Sequence, residues 1–186
     1  CPRSPRFHIP PFMRVFLTGG TGFIGSHFIN QAHAAGHEIV GLRRTPNSKP
    51  RVPLERQPVW IDSAVNDTPA EAFEGCACLV HLAAHSANVP YDTLEKCIEQ
   101  NVTAPLALFR RAIEAGVRRF IVAGSCFEYG RAGERYEFIP ADAPLEPTAS
   151  YPASKAAASV AFHALACEAG VELLILRIFQ VYGEGE

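Results

Sequence analysis

Two residues suited to proton transfer, a tyrosine and a lysine, stand four positions apart in this sequence. Tyr151 and Lys155 frame the segment Tyr-Pro-Ala-Ser-Lys, and on a helix this spacing places both side chains on one face. A phenol has a reference pKa of about 10 and exchanges protons poorly at neutral pH. Because an adjacent ammonium stabilises the phenolate, we predict that Lys155 lowers the pKa of Tyr151 and suits it to acid–base chemistry.

A serine stands where it can share a substrate oxygen with that tyrosine. The apolar run 120–123 continues into Gly-Ser-Cys-Phe-Glu-Tyr-Gly, so Ser125 comes directly after a predicted strand. Ligands of open α/β sheets bind beyond the carboxyl ends of the strands. We therefore expect the Ser125 hydroxyl to hydrogen-bond a substrate oxygen beside the Tyr151 phenol.

A glycine-rich segment, Thr-Gly-Gly-Thr-Gly-Phe-Ile-Gly, spans residues 18–25 between a predicted strand and a predicted helix. Gly19, Gly22 and Gly25 are spaced as GxxGxxG, and Gly20 adds the alternative spacing GxGxxG. Glycine permits a tight turn, the close approach of a pyrophosphate to the backbone, and helix packing against a strand. Together with the anion-binding N-terminus of the helix, the segment predicts a dinucleotide-binding turn.

The end of the second predicted strand indicates which dinucleotide would bind. An NAD-preferring site usually has an acidic residue there, roughly 20 residues past the glycines, for the ribose 2′-hydroxyl. This chain instead has Arg43 and Arg44, and guanidinium groups are suited to a 2′-phosphate. We predict NADP(H) as the cofactor, with NAD as the alternative.

The elements that must position these residues alternate along the chain, short apolar runs with longer helical stretches. Such alternation predicts right-handed crossovers and a parallel sheet covered by helices on both faces. The fold class is therefore α/β, a doubly wound parallel sheet whose last two strands are buried on both faces. The predicted strands are 14–18, 38–42, 59–61, 77–81, 117–123 and 171–179, and the predicted helices are 23–35, 91–115 with a kink at Pro105, and 151–169.

Length, composition and charge bound the class of protein. The 186 residues suffice for one domain, and 48% hydrophobic with 19% charged residues is typical of a globular chain. A net charge of -2 predicts no nucleic-acid partner, and the apolar runs fall far short of the ~20 residues of a membrane span. The six scattered cysteines are typical of reduced thiols in a cytoplasmic protein, and they predict no metal site.

The domain boundary is predicted at the single methionine, Met13. Residues 1–12 carry four prolines and lack the apolar core of a secretory signal. We interpret residues 1–12 as a leader outside the fold and residues 13–186 as the dinucleotide-binding domain.

From Met13 onward the chain resembles the extended short-chain dehydrogenase/reductase family, often called NAD-dependent epimerase/dehydratases. The resemblance rests on TGGTGFIG (18–25), HLAA (81–84), NVT (101–103), GSCFEYG (124–130), YPASK (151–155) and LRIFQVYG (176–183). It implies a Rossmann-type domain and a catalytic triad of Ser125, Tyr151 and Lys155. The cofactor-binding residues that we predict are Gly19, Gly22, Phe23, Ile24, Gly25, Arg43, Arg44, Asp62, Ser63, Leu82, Ala83, Ala84, Asn101, Tyr151, Lys155, Phe179 and Val181.

The resemblance also implies an activity and partners. We expect an NAD(P)-dependent oxidoreductase or epimerase acting on a carbonyl or carbinol carbon, with a nucleotide sugar as substrate and Tyr151 as proton donor or acceptor. Alternatives are a reductase of a non-sugar carbonyl compound and a non-catalytic NADP-sensing or scaffold protein. Family members continue into a C-terminal substrate domain that this chain lacks, and they often dimerise through the helices corresponding to 91–115 and 151–169.

One departure from the family pattern disfavours a dehydratase. Sugar 4,6-dehydratases of the family carry an acidic pair after the strand-end residue, whereas Ser125 is followed by Cys126 and Phe127. Glu128 comes one position too late for that pair, and strand alternation predicts that it points elsewhere.

Overall fold

A single parallel sheet forms the centre of the fold. The computed structural model describes residues 12–186, so the predicted leader lies outside the described residues except for the exposed Phe12. The sheet order is β3-β2-β1-β4-β5-β6, the order of the doubly wound dinucleotide-binding fold, and it confirms the predicted fold class. The strands are β1 (Arg14–Thr18), β2 (Glu38–Arg43), β3 (Val59–Asp62), β4 (Cys78–His81), β5 (Arg119–Ser125) and β6 (Glu172–Ile178).

Helices cover both faces of this sheet, and each face has its own apolar cluster. One cluster gathers Leu17 and Val80 from the sheet with Ile29 of the first helix. The opposite cluster gathers Phe120 with Phe109 and Phe162 from later helices. The helices are α1 (Phe23–Ala34), α2 (Leu94–Ile98), α3 (Ala104–Glu114) and α4 (Ser150–Ala169).

The predicted helix 91–115 is wrong in its start and in its continuity. It begins at Leu94, because Thr93 is extended and its side chain accepts a hydrogen bond from the N–H of Lys96, which caps α2. A π-helical turn, Glu99–Thr103, then separates α2 from α3. The wider turn shifts the hydrogen-bond ladder just before Pro105, which has no N–H to donate.

The prediction that the last strand is buried on both faces is also wrong. β6 lies at the edge of the sheet, and its alternate residues Leu174 and Leu176 are 37% and 46% exposed. A continuous apolar run specifies a strand but does not say whether a layer covers each face. None of the helices in residues 12–186 combines the length and apolar character needed to cross a membrane.

Candidate active site

The turn between β1 and α1 is built so tightly that glycine is required at two positions. Gly19 has a φ of +75°, and a Cβ there would stand 2.6 Å from the backbone nitrogen of Ala83. A Cβ on Gly25 would overlap the carbonyl oxygen of Gly19 and stand 2.8 Å from the Cα of Gly20. The N–H of Gly22 donates to the Gly19 carbonyl at 3.0 Å and closes the turn. The predicted glycine turn is therefore present, with α1 resting directly against it.

The N-terminus of α1 borders a large cleft. The first turn of α1 has no side-chain cap, so its N–H groups are available to an anion. The cleft holds about 820 Å³, within the range of cofactor sites. Predicted cofactor-binding residues that line it are Gly19, Gly22, Phe23, Ile24, Gly25, Arg43, Arg44, Ser63, Leu82, Ala83, Ala84 and Val181.

Five predicted cofactor-binding residues lie outside that lining, and their role toward a cofactor stays a prediction: Asp62, Asn101, Tyr151, Lys155 and Phe179. Phe179 is 56% exposed just after β6. Asn101 is buried, and Asp62 is bound by Arg43. The shape and the free N–H groups of the cleft suit the pyrophosphate of a nicotinamide dinucleotide, because a side chain at Gly19 or Gly25 would fill the turn that receives it.

The ends of β2 and β3 carry an ion pair that sequence reasoning did not foresee. Arg43 and Asp62 are paired across the two strands, and Arg43 donates from Nε at 2.6 Å and from Nη2 at 3.3 Å to the Asp62 carboxylate. The same guanidinium lies over the Trp60 ring, 5.1 Å from its centre. The Arg43 charge is thus partly compensated within the protein.

Two further arginines that line the cleft differ from Arg43 in this respect. Arg44 and Arg51 line the cleft together with Thr45 and Ser48. Neither arginine forms an ion pair within residues 12–186. Arg51, which the sequence analysis did not single out, is placed there because its N–H donates to the Thr21 carbonyl beside the glycine turn.

Ser125, Tyr151 and Lys155 come together at the carboxyl end of β5. Ser125 is the last residue of that strand, and the other two lie in the first turns of α4. The Ser125 side chain lies close enough to the Tyr151 phenol to favour its phenolate form. Lys155 is 3% exposed and donates from Nζ to the Ala123 carbonyl at 2.6 Å. The predicted juxtaposition of serine, phenol and ammonium is therefore present in the structure.

The expected lowering of the Tyr151 pKa is wrong. Burial raises the pKa of the Tyr151 phenol, and the Ser125 side chain opposes that effect only in part. Burial also lowers the pKa of Lys155 to about 8, against the opposing charge of Glu128. Because the ammonium is directed at the Ala123 carbonyl, desolvation rather than the lysine charge decides the state of the phenol.

An aromatic ring that the sequence analysis overlooked packs on the tyrosine. The rings of Tyr91 and Tyr151 are 5.5 Å apart and inclined by 32°. Tyr91 precedes α2 in a stretch without regular structure, where no periodicity signals a functional position.

Asn101 connects the wall of the cleft to α4. Its Oδ1 accepts from the N–H of His85 at 2.7 Å, and its Nδ2 donates to the His85 carbonyl at 3.1 Å. Nδ2 also donates to the Ser154 hydroxyl at 2.9 Å. Since Ser154 adjoins Lys155, Asn101 ties the segment after Ala84 to the helix that carries Tyr151 and Lys155.

A buried histidine lies beneath the glycine turn. The His81 Nδ1 and the Thr18 hydroxyl are 2.7 Å apart, and the ring packs edge-on against Phe109 and Phe162. Burial, aided by the nearby charge of Lys155, lowers the pKa of His81 to about 3. His81 is therefore a neutral residue of the core at neutral pH.

Comparison with known proteins now decides the family. A model of the NAD dependent epimerase/dehydratase family matches residues 15–186. This chain belongs to the NAD dependent epimerase/dehydratase family. The resemblance drawn from the sequence motifs is thereby confirmed, and the matched region includes the glycine turn, Ser125, Tyr151 and Lys155.

Individual members of the epimerase/dehydratase family resemble the chain at moderate identity. UDP-glucose 4-epimerase of Corynebacterium glutamicum is 28% identical over 182 residues, which are 92% of this chain and 52% of that protein. The solved structure of TunA, an NAD dependent NDP-hexosamine 5,6-dehydratase, has a TM-score of 0.80 and 30% identity, over 92% of this chain and 56% of that one. MoeE5 in complex with UDP-glucose and NAD has a TM-score of 0.77 and 28% identity, over 93% and 56%. The chain thus spans about half the length of these proteins.

Proposed function

We propose that this chain forms the cofactor-binding part of an NAD(P)-dependent oxidoreductase or epimerase that acts on a carbonyl or carbinol carbon of a nucleotide sugar. The observation that carries the proposal is the convergence of Ser125, Tyr151 and Lys155 at the carboxyl end of β5, with Tyr151 and Lys155 on one face of α4. UDP-glucose and NAD bound to MoeE5, a relative of the same family, support the choice of substrate class.

The residues of the chain divide the work of proton transfer. The Tyr151 hydroxyl donates a proton to, or accepts one from, the substrate oxygen, while the Ser125 hydroxyl hydrogen-bonds that oxygen and fixes its position. Lys155, with a pKa of about 8, is largely protonated at neutral pH and stabilises the phenolate when it forms. When bound, a nicotinamide would accept a hydride from, or donate one to, the substrate carbon that carries this oxygen.

The direct test incubates the full-length protein with UDP-glucose or UDP-glucuronic acid in the presence of NAD or NADP. We expect a C4 epimer or an oxidised sugar to appear in the proton NMR spectrum. No change in either nucleotide sugar, together with NADPH-dependent reduction of a non-sugar ketone, would replace the proposal with a carbonyl reductase.

Within this function we propose NADP(H) as the preferred cofactor, with NAD as the alternative. Arg44 and Arg51 line the cleft beside Thr45 and Ser48, and neither forms an ion pair with another described residue, which suits a 2′-phosphate. The carboxylate at the end of β3, that of Asp62, already forms an ion pair with Arg43.

Replacing Arg44 and Arg51 by alanine is expected to weaken NADPH binding about 10- to 100-fold, because charged hydrogen bonds contribute about 1.5–3 kcal/mol. NADH binding should change little. Nicotinamide fluorescence on titration measures both affinities. The control is Arg56→Ala, which removes an exposed charge from the same connecting segment without touching the cleft lining. A wild-type protein that prefers NADH would make NAD the cofactor and the two arginines a solvated pair.

We also propose that the protein is a homodimer that associates through α2, α3 and α4. The alanines of α4 are engaged within the protomer, since Ala156 and Ala158 are buried and Ala157 and Ala161 pack partly on the core. Val160 on α4 and Leu94 on α2, which are 64% and 47% exposed, are large apolar residues left for a partner. Light scattering of the full-length protein should give twice the chain mass, and a monomer mass would contradict the proposal.

A further inference from the structure

A carboxylate is buried without any exposure next to the proton-transfer residues. Glu128 has 0% relative exposure, and its carboxylate accepts three hydrogen bonds. The N–H of Ser125 donates to Oε1 at 2.7 Å, the Ser159 hydroxyl to Oε2 at 2.7 Å, and Nε of Arg177 to Oε2 at 2.9 Å. Strand alternation predicted that Glu128 points away from the position of the dehydratase acid. Its side chain is directed into the protein interior.

The surrounding chain is arranged to receive this carboxylate. Ser125 and Glu128 form a reciprocal cap, in which the Ser125 hydroxyl also accepts from the N–H of Phe127 at 3.2 Å. A Cβ on Gly124 would stand 2.7 Å from Oε1 of Glu128, so glycine makes the space. Arg177 is held in turn by the Ala141 carbonyl at 2.9 Å and by the Tyr129 hydroxyl at 3.2 Å.

We propose that Glu128 is a positioning residue for the Ser125, Tyr151 and Lys155 site, fixing the turn after β5 that presents Ser125 to Tyr151. The carboxylate joins three separate elements at this point: the end of β5 through Ser125, β6 through Arg177, and α4 through Ser159. Ser159 lies one helical turn after Lys155. A buried charge is costly unless it is fully paired. Each hydrogen bond that compensates the Glu128 charge also attaches one of the elements β5, β6 and α4 to the turn after β5.

The same charge acts on the proton-transfer residues at a distance. Glu128 raises the pKa of Lys155 against the larger effect of burial, and it adds to the raised pKa of Tyr151. The other titratable or charged groups around Glu128 are Arg177 on β6 and Cys126 and Tyr129 in its own turn. Without the carboxylate, Lys155 would lose its proton more readily and would be neutral over more of the physiological range.

Titration of Lys155 tests this role without any substrate or cofactor. In protein labelled with ¹³C at lysine Cε, the Lys155 signal is assigned by its absence from Lys155→Met. We expect it to titrate near pH 8 in the wild type and about one pH unit or more lower in Glu128→Gln. A titration curve of Glu128→Gln that superimposes on the wild type would overturn the proposal.

The matched control removes another glutamate that pairs β5 with β6. Glu172 accepts from Nε of Arg119 at 2.8 Å, about 20 Å from Ser125 at roughly 3.3 Å per residue along the strand. Glu172→Gln should leave the Lys155 titration unchanged. If Glu128→Gln does not fold because Arg177 is left unpaired, the double variant Glu128→Gln/Arg177→Met removes both charges and must show the same downward shift.

A second measurement joins the inference to turnover, and this part rests on the proposed function. With UDP-glucose as the probe, Glu128→Gln should lose at least tenfold in kcat at pH 7.5 and recover part of it at pH 6.5, where Lys155 is protonated again. A loss that is the same at every pH would indicate a merely structural residue. If the wild type turns over no nucleotide sugar, the proposed function fails, while the Lys155 titration still decides the role of Glu128.

Discussion

Tyr151→Phe is expected to lower kcat by about 10²- to 10⁴-fold, the usual contribution of a positioned acid or base. The substitution removes only the phenol oxygen, which is the group whose pKa the Ser125 side chain lowers. The ring and its packing on Tyr91 remain, so the fold and the dinucleotide affinity should not change. Turnover of UDP-glucose and titration with NADPH or NADH measure the two quantities separately.

Tyr136→Phe is the matched control, because it removes a phenol oxygen from a residue that is 39% exposed and outside the site. It should retain wild-type turnover. If Tyr151→Phe retained it as well, Tyr151 would not be the proton donor or acceptor. A protein that binds the dinucleotide, turns over none of the probes and responds identically with and without the phenol would instead be a sensor or scaffold.

Gly25→Ala should abolish dinucleotide binding and destabilise the fold by about 1–3 kcal/mol or more, the range for overpacking a tight contact. The added methyl group would overlap the Gly19 carbonyl and approach the Cα of Gly20 to 2.8 Å. Both contacts are backbone atoms, so relief requires α1 to move away from the turn that we propose binds pyrophosphate. Urea unfolding and cofactor fluorescence give the two effects.

Gly36→Ala separates this steric effect from the general cost of losing a glycine. Gly36 has a φ of +87°, and no atom lies within 4 Å of a Cβ built there. Alanine at this position should cost about 1–2 kcal/mol of conformational strain and leave dinucleotide affinity unchanged. Normal cofactor binding by Gly25→Ala would mean that the turn is more adaptable than its geometry indicates.

The parts of this site that could be predicted from sequence depend on local patterns. The glycine spacing before α1, the serine that ends β5 and the tyrosine and lysine on α4 each lie within one short segment. The alternation of strands with helices along the chain also predicted the fold class, because parallel strands need intervening crossovers. Each of these features was found where the pattern indicated.

The parts that could not be predicted depend on partners distant in sequence. Arg43 is paired with Asp62, and Glu128 is paired with Arg177, 49 positions later. The raised pKa of Tyr151 depends on how deeply the phenol is buried, which no spacing reveals. The π-helical turn before Pro105 likewise required knowledge of how the surrounding helices pack.

The neutral His81 beneath the glycine turn links the fold to proton uptake. Its pKa is about 3 in the folded protein and about 6.5 in an unfolded chain, so unfolding takes up a proton between these values. The stabilisation is fully present above pH 6.5 and declines as the pH falls toward 3, by about 1.4 kcal/mol for each pH unit. His81 is hydrogen-bonded to Thr18 at the end of β1, and Thr18 lines the cleft. Acidification therefore weakens the fold directly under the cleft.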